Sequence, residues 1–466
     1  MRRQELAPAG ISGCRPTVVW NARPMRQSAL PEDSAQQPLA SATAAISDRP
    51  ASQAKPVSLP VGTRARRLQR RILLRDRSLE GLYWLFDQFL GRPLVNLYRI
   101  AAMIRLVGAQ ARRDCSVSVR RQVWDQVRLI LFHGAKPWIY YVLELYRDGG
   151  MAEAGAYMMR NEVKHGLFKA LNRIDPDAKD RAQKLGDKLE VSRWCAENDI
   201  AHPHPIMLVE GGQISWPGGS RADLDRDLFV KRRRGRGAYS SASYWRTGPF
   251  EYRDEENRPV TLEQITEGLQ RRSERSERER LMVMPLLHNH PAIADLADVT
   301  LITFRLITCL DEELRPVLTN AYLRSMTKLE PNWDVGWIEE YGAPIDLETG
   351  ALDRITGDKP PCLSGWFDHH PVTGSTVTGR IVPCWPELAA LAVKAHSIVP
   401  ERVMIGWDMA ITPDGPALLE GNSFLDLVFP QRVFRQPVGQ MRLGQLLDFH
   451  LDRLEAKLNE PGWRYP

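Results

Sequence analysis

A chain of 466 residues, 43% hydrophobic and 26% charged, has the composition of a soluble globular protein of about three domains, which excludes fibrous and wholly disordered classes. Its six cysteines (Cys14, Cys115, Cys195, Cys309, Cys362 and Cys384) form no CxxC pair, which argues against a disulfide framework and for a reduced, cytosolic protein. The net charge of +6 is uneven: residues 1–130 hold 22 Lys/Arg against 9 Asp/Glu, leaving −7 on the remainder, so a basic front end precedes an acidic body.

Residues 1–62 are rich in Ala, Pro, Ser, Gln and Arg and show no sustained period. They carry too few large apolar groups to offset the entropy of ordering, and a disordered basic tail is expected. Met1-Arg2-Arg3 is followed by no apolar core of a signal peptide. A helical N-terminal region is expected over 63–178. There Leu79, Leu82, Tyr83, Phe86 and Leu90 recur at helical spacing, and after Pro93 the stripe resumes through Leu94, Leu97, Tyr98, Ala101 and Ile104. Arginines flank it on both sides, from Arg64 to Arg77 and again at Arg112, Arg113, Arg120 and Arg121. A basic amphipathic pair of this kind either lies on an anionic membrane surface, at the inner face, or packs its apolar side on the body; packing is the plainer expectation. The longest candidate span, Leu94 to Ala109, is interrupted by Arg99 and Arg105 and falls short of the ~20 apolar residues that cross a bilayer. Further helices are expected near 137–148 and 151–172.

From about residue 180 short β-like runs alternate with helices and turns: Ile206–Val209, Leu228–Lys231, Leu281–Met284, Leu301–Cys309, Val317–Leu323, Val403–Ile411 and Pro416–Leu419. This is an α+β body of largely antiparallel character. Gly186-Asp187-Lys188 opens a helix. Leu228-Phe229-Val230-Lys231 is a strand ending in a lysine, followed by a loop with Gly235 and Gly237. Such a loop lets backbone N–H groups approach phosphates while the lysine neutralises them. Arg- and Gly-rich segments also bind RNA, but this one is short and follows an apolar strand, so no nucleic acid is expected.

The densest signal runs from Gly406 to Asn422. One strand through Asp408–Ile411, a Pro413-Asp414-Gly415 turn and a second strand through Pro416–Glu420 form a hairpin. Glu420 and Asn422 share a strand face, and the fold-back brings Asp408 toward them. Two carboxylates and an amide oxygen make a hard, incomplete cage suited to Mg²⁺. A merely exposed acidic hairpin would not place Glu420 directly after Ala417-Leu418-Leu419, a run that should be buried. The close histidine pairs (His202/His204, His288/His290 and His369/His370) have no third ligand at a useful spacing, which argues against zinc.

Taken in order, the Asp-Lys helix start, the strand lysine with its Gly loop, the apolar strand Leu281–Leu287 and the Asp…Glu-x-Asn hairpin resemble the ATP-grasp superfamily. Pro285-Leu286-Leu287-His288-Asn289-His290-Pro291, Thr303–Thr308 and Ile411–Pro416 look like its sugar-transfer-associated family, related to the α-L-glutamate ligases. The resemblance covers about residues 135–450. It implies two α+β subdomains clamping ATP, an ATP-grasp domain over 179–452 and a C-terminal tail over 453–466. By the same resemblance Lys188 and Lys231 bind phosphates, Asp408, Glu420 and Asn422 bind Mg²⁺, and Arg305 points into the cleft as the catalytic cation. The family usually places Gln or Glu on the strand that meets adenine. This chain has Met284-Pro285, so the contacts fall to the backbone around Met284 and Leu286, and Pro285 supplies no N–H. The implied activity is ATP- and Mg²⁺-dependent carboxylate–amine ligation through an acyl phosphate, acting on a small molecule or saccharide in cell-surface polysaccharide biosynthesis. The rival readings are a non-catalytic nucleotide-binding regulator and a kinase-like phosphotransferase, although the chain has no His-Arg-Asp or Asp-Phe-Gly motif.

Overall fold

The computed structural model describes residues 59–75, 82–83, 86–159, 166–172, 174, 185–235, 241–276, 278–297, 300–326, 340–357 and 365–461. Of the disordered tail expected over 1–62, residues 1–58 lie outside the described residues, as does Gly237 with the role expected of it. Helix α1 (Val61–Arg75) begins inside the segment expected to be unstructured. Val61 and Gly62 are already buried, and a Cβ on Gly62 would meet the Tyr157 carbonyl oxygen at 2.1 Å. Helix α2 (Arg92–Cys115) continues from a single π-helical turn at Asp87–Gly91, with Pro93 in its first turn, where no helical N–H is lost. Helix α3 (Val119–His133) is capped by Ser118, whose hydroxyl accepts from the Arg121 N–H at 3.2 Å, and ends at Gly134 in a left-handed conformation, φ 62°.

These helices correct the plainer reading of the apolar stripe. Leu82, Tyr83, Phe86, Leu90, Leu94 and Tyr98 are exposed; the buried side of α2 is instead Asn96, Ile100, Val107 and Ala111. The stretches expected as helices near 137–148 and 151–172 contain only the short pieces Ile139–Val142, Gly150–Glu153 and Leu167–Leu171 among the described residues. Glu144, with φ 49°, breaks the first of them.

Two antiparallel sheets follow. The first holds β1 (Met207–Glu210), β2 (Gln213–Ser215), β3 (Leu228–Arg232), β4 (Ala242–Gly248), β5 (Glu251–Arg253), β6 (Pro259–Thr261) and β7 (Leu281–Pro285), ordered β2-β1-β7-β3-β4-β5-β6. The second holds β8 (Thr303–Leu310), β9 (Pro316–Met326), β10 (Glu340–Pro344), β11 (Thr356–Gly357), β12 (Met404–Thr412) and β13 (Gly415–Asn422), ordered β11-β10-β9-β8-β12-β13. Helix α4 (Lys188–Glu197) bridges them. Its Leu189 packs with Leu208 and Met282 of the first sheet, and its Val191 and Cys195 join the core of the second. Helix α5 (Leu262–Glu274) covers the first sheet through Leu262, Ile265 and Leu269.

The second sheet has two unlike faces. Phe304, Leu306, Ile405, Trp407 and Met409 pack under helix α6 (Trp385–Ser397). On the opposite face, Ile307, Cys309, Tyr322 and Met404 meet α1 and the last helix, α7 (Arg442–Asn459). Helix α7 crosses the boundary expected at 452, and Leu454 and Leu458 are buried, so the core does not end there. Continuing along that second face, the alternation of strand side chains carries Arg305, Arg324 and Asp408 instead of apolar groups.

Candidate active site

Hairpin β12–β13 sets the polar cluster by register. Asp408 pairs directly with Glu420 and Gly406 with Asn422, and β12 also pairs with β8 so that Asp408 lies opposite Arg305. The turn is closed by Gly415 at φ 108°, a conformation side chains resist. Gly406 has its own reason: a Cβ there would meet the Leu425 Cδ1 at 2.8 Å and the Arg305 Cδ at 3.3 Å, so the glycine leaves room for both side chains against the strand.

Arg305 grips Asp408 through both prongs, Nε to Oδ1 at 2.5 Å and Nη2 to Oδ2 at 2.9 Å. Arg324 adds a third donor to Asp408 Oδ1 at 3.1 Å and holds Glu340 at 2.5 Å. Burial by itself would raise the Asp408 carboxyl; Arg305 and Arg324 outweigh it and hold the group below the usual carboxylate range. Arg305 therefore does not stand free in the cleft, as the resemblance implied, but is engaged by Asp408. Asn422 Nδ2 lies 3.2 Å from Asp408 Oδ2 and 3.4 Å from Glu420 Oε1. Asp408, Glu420 and Asn422 thus meet on one surface, with the Glu420 side chain, 36% exposed, as its open member. The donor chemistry fits a hard divalent cation: two carboxylates, and an amide that presents Oδ1 when turned over.

The lysines approach from the start of α4 and from β3 of the other sheet. Asp187 caps α4 by accepting from the Leu189 N–H at 3.1 Å, and the same carboxylate takes Arg233 at 2.8 Å and Arg234 at 3.0 Å. The Lys188 N–H donates to the Arg233 carbonyl at 3.1 Å. Helix start and lysine loop are therefore bolted together, which aims Lys188 at the hairpin. Its Nζ lies 3.9 Å from Glu420 Oε2 and donates to the Gly235 carbonyl at 3.0 Å. Lys231, at the end of β3, is half-buried. Burial, with the charge of Lys188, pushes its ammonium down to about 8 even though Glu420 pulls it up. A lysine so desolvated gains strongly from an arriving anion.

The strand expected to meet adenine, β7, lies between β1 and β3. Met284 is buried and paired with Phe229, and the Leu286 N–H donates to the Asp227 carbonyl at 2.9 Å. The Leu286 amide expected to face the base is thus engaged by Asp227. The histidines make structural bonds: His202 Nδ1 to the Leu418 carbonyl at 2.8 Å, and His370 Nε2 to the Ser325 hydroxyl at 3.0 Å. Arg324, Glu340 and the Asp187 bolt are site residues that sequence reasoning missed. For Arg324 a signal existed, an arginine at the end of an apolar strand; Glu340 carried none.

The family described as sugar-transfer associated ATP-grasp matches residues 176–440, more than half of the chain. Solved structures with a similar arrangement include a D-Ala:D-Ser ligase from Enterococcus faecalis, at 12% identity and TM-score 0.34, covering 58% of this chain and 62% of that one. A D-alanine–D-alanine ligase from Coxiella burnetii matches at 12% identity and TM-score 0.33, covering 64% and 67%. A biotin carboxylase from Campylobacter jejuni matches at 10% identity and TM-score 0.36, covering 61% and 52%. The chain thus spans less than two thirds of the length of the D-Ala:D-Ser ligase. No curated protein matches it significantly in sequence.

Proposed function

The chain belongs to the sugar-transfer associated ATP-grasp family, and on that premise we propose that it is an ATP- and magnesium-dependent carboxylate–amine ligase of cell-surface polysaccharide biosynthesis. The observation that carries this reading is the convergence of Asp408, Glu420 and Asn422 on one surface, with Lys188 at the start of α4 reaching Glu420 at 3.9 Å. A carboxylate oxygen of the donor, an amino acid, attacks the γ-phosphorus of ATP; the bond to the β-phosphate oxygen breaks and ADP leaves. An amine of the acceptor, a saccharide unit, then attacks the acyl carbon of the acyl phosphate. Phosphate leaves, and the amine gives up a proton.

Both steps build negative charge on phosphoryl oxygens, so positioning and electrostatics suffice without a protein nucleophile. Lys188 and Lys231 hold the phosphates. Arg305 and Arg324 keep Asp408 ionised and oriented. Asp408, Glu420 and Asn422 would hold magnesium, which would supply charge neutralisation for the transferring group. We place the reaction in the cytoplasm, where ATP is held. The test is to incubate the protein with ATP, Mg²⁺, mixed amino acids and amino sugars, following ADP and the condensed product by mass spectrometry. ADP release that requires a carboxylate and an amine together is the expected result. Phosphorylated product without condensation would favour a phosphotransferase, and ATP binding without turnover a regulator.

A further inference from the structure

Helices α2 and α3 carry an outward face that the active site does not explain. Leu94 and Tyr98 are 64% and 87% exposed, and Trp124, Leu131 and Phe132 are 63%, 51% and 68% exposed. This is not the face that attaches the pair to the body: Val107 and Ala111 of α2 and Leu129 of α3 are buried in a separate core with Ile139, Tyr140 and Tyr146. Several large apolar groups left exposed on two helices that pack together mark an interaction surface.

The charge of the same face says which kind. At 3.6 residues per turn, Leu94, Tyr98, Arg105 and Arg112 fall within about 40° on α2, and Trp124, Arg128, Leu131 and Phe132 within about 100° on α3. Arg105, Arg112, Arg113, Arg120 and Arg128 are all exposed. The only acids between residues 92 and 133 are Asp114 and Asp125. Asp125 is buried and accepts from the Tyr140 hydroxyl at 3.1 Å.

We infer that this face binds an anionic lipid bilayer peripherally, with Tyr98, Trp124 and Phe132 entering the headgroup boundary and the arginines meeting lipid phosphates. Aromatic rings and basic side chains interleaved along the exposed side of each helix suit that boundary, where one end of each group is apolar and the other wet. A second copy of the chain fits poorly, because it would set arginines against arginines. Among the described residues no helix is long and apolar enough to cross a membrane, so the pair lies on the bilayer. This inference stands independently of the ligase reading.

The test is flotation of the full chain with vesicles of phosphatidylcholine alone or mixed with phosphatidylglycerol. The protein is expected to float with the mixed vesicles, not with the neutral ones, and to be released by salt. The pair Trp124→Glu/Phe132→Glu and, separately, Arg105→Glu/Arg112→Glu should each cut the bound fraction about tenfold at an unchanged melting temperature. Should the first pair misfold, the arginine pair decides alone. No flotation with anionic vesicles overturns the inference. So does flotation undiminished by folded variants, which would assign binding to the arginines of residues 1–58. A dimer that these variants dissociate, in a chain that does not float, overturns it in favour of self-association.

Discussion

Asp408 owes its charge to two arginines that are 103 and 84 residues away in the chain. Glu420, directly across the ladder, is the more open carboxylate and the one whose charge faces the lysines. Glu420→Gln keeps shape and removes charge. Leu418 packs as before, so melting should be unchanged, while ADP formation falls by about 10²–10³, the usual cost of one preorganised electrostatic group. A variant that melts normally and turns over at the parent rate would remove Glu420 from the chemistry. Lys231 makes a pH-dependent prediction. With its ammonium pushed down to about 8, it is charged at pH 7 and loses that charge as pH rises through 8. Bound phosphates favour the charged form, so ATP affinity should be greatest below pH 8 and fall above it by up to about tenfold per unit. Lys231→Met should cost roughly 1.5–3 kcal/mol of ATP binding at neutral pH and flatten that slope. Calorimetric titrations at several pH values would show it, and a slope that survives the substitution would assign the titration to another group.

At the scale of elements, the joint between α4 and the loop after β3 is the critical piece. Asp187 is almost fully buried, caps the helix and holds Arg233 and Arg234 at once. Asp187→Ala should destabilise the protein by roughly 2–3 kcal/mol, one lost cap plus a charge-assisted bond. It should also weaken ATP binding, because Lys188 follows Asp187 and loses its aim. Asp187→Asn keeps the cap and should lose less of both. Urea unfolding and nucleotide titration of the two variants separate the contributions; an alanine variant with parental stability and affinity would mean the joint is idle. The hairpin shows how much local chemistry foretold here. Pro413-Asp414-Gly415 marked its turn, and Asp408, Glu420 and Asn422 marked its polar face. The partners of that face came from β8, β9 and β10, and nothing local in the sequence announces a neighbour strand.

For the whole molecule, α1 is part of the core. Ala65, Leu68 and Ile72 are buried with Leu447, Leu451 and Leu454 of α7. Arg64 donates to Asp448 at 2.7 Å, and Arg71 to Glu455 at 2.7 Å. Burial of Leu68 and Ile72 alone is worth about 3–6 kcal/mol, a large share of a typical domain's stability. Removing residues 1–58 should therefore leave melting and ATP binding intact, whereas removing 1–75 should yield insoluble or strongly destabilised protein. Equal melting temperatures for the two truncations would show that α1 is dispensable.

Side-chain type, period and turn chemistry are properties of neighbours along the chain, and they sufficed for seven strands, the lysine near the end of β3, and the hairpin with its polar face. The remainder depended on approach in space. Whether the stripe from Leu82 to Tyr98 is covered, whether the Leu286 amide is free, and whether Arg305 faces a ligand or Asp408 are each decided by a residue far away in sequence. An amphipathic helix has the same period whether its apolar side meets protein, lipid or water, and an arginine has the same charge whether or not a carboxylate has closed on it. Only the packed chain brings the partner that tells these apart.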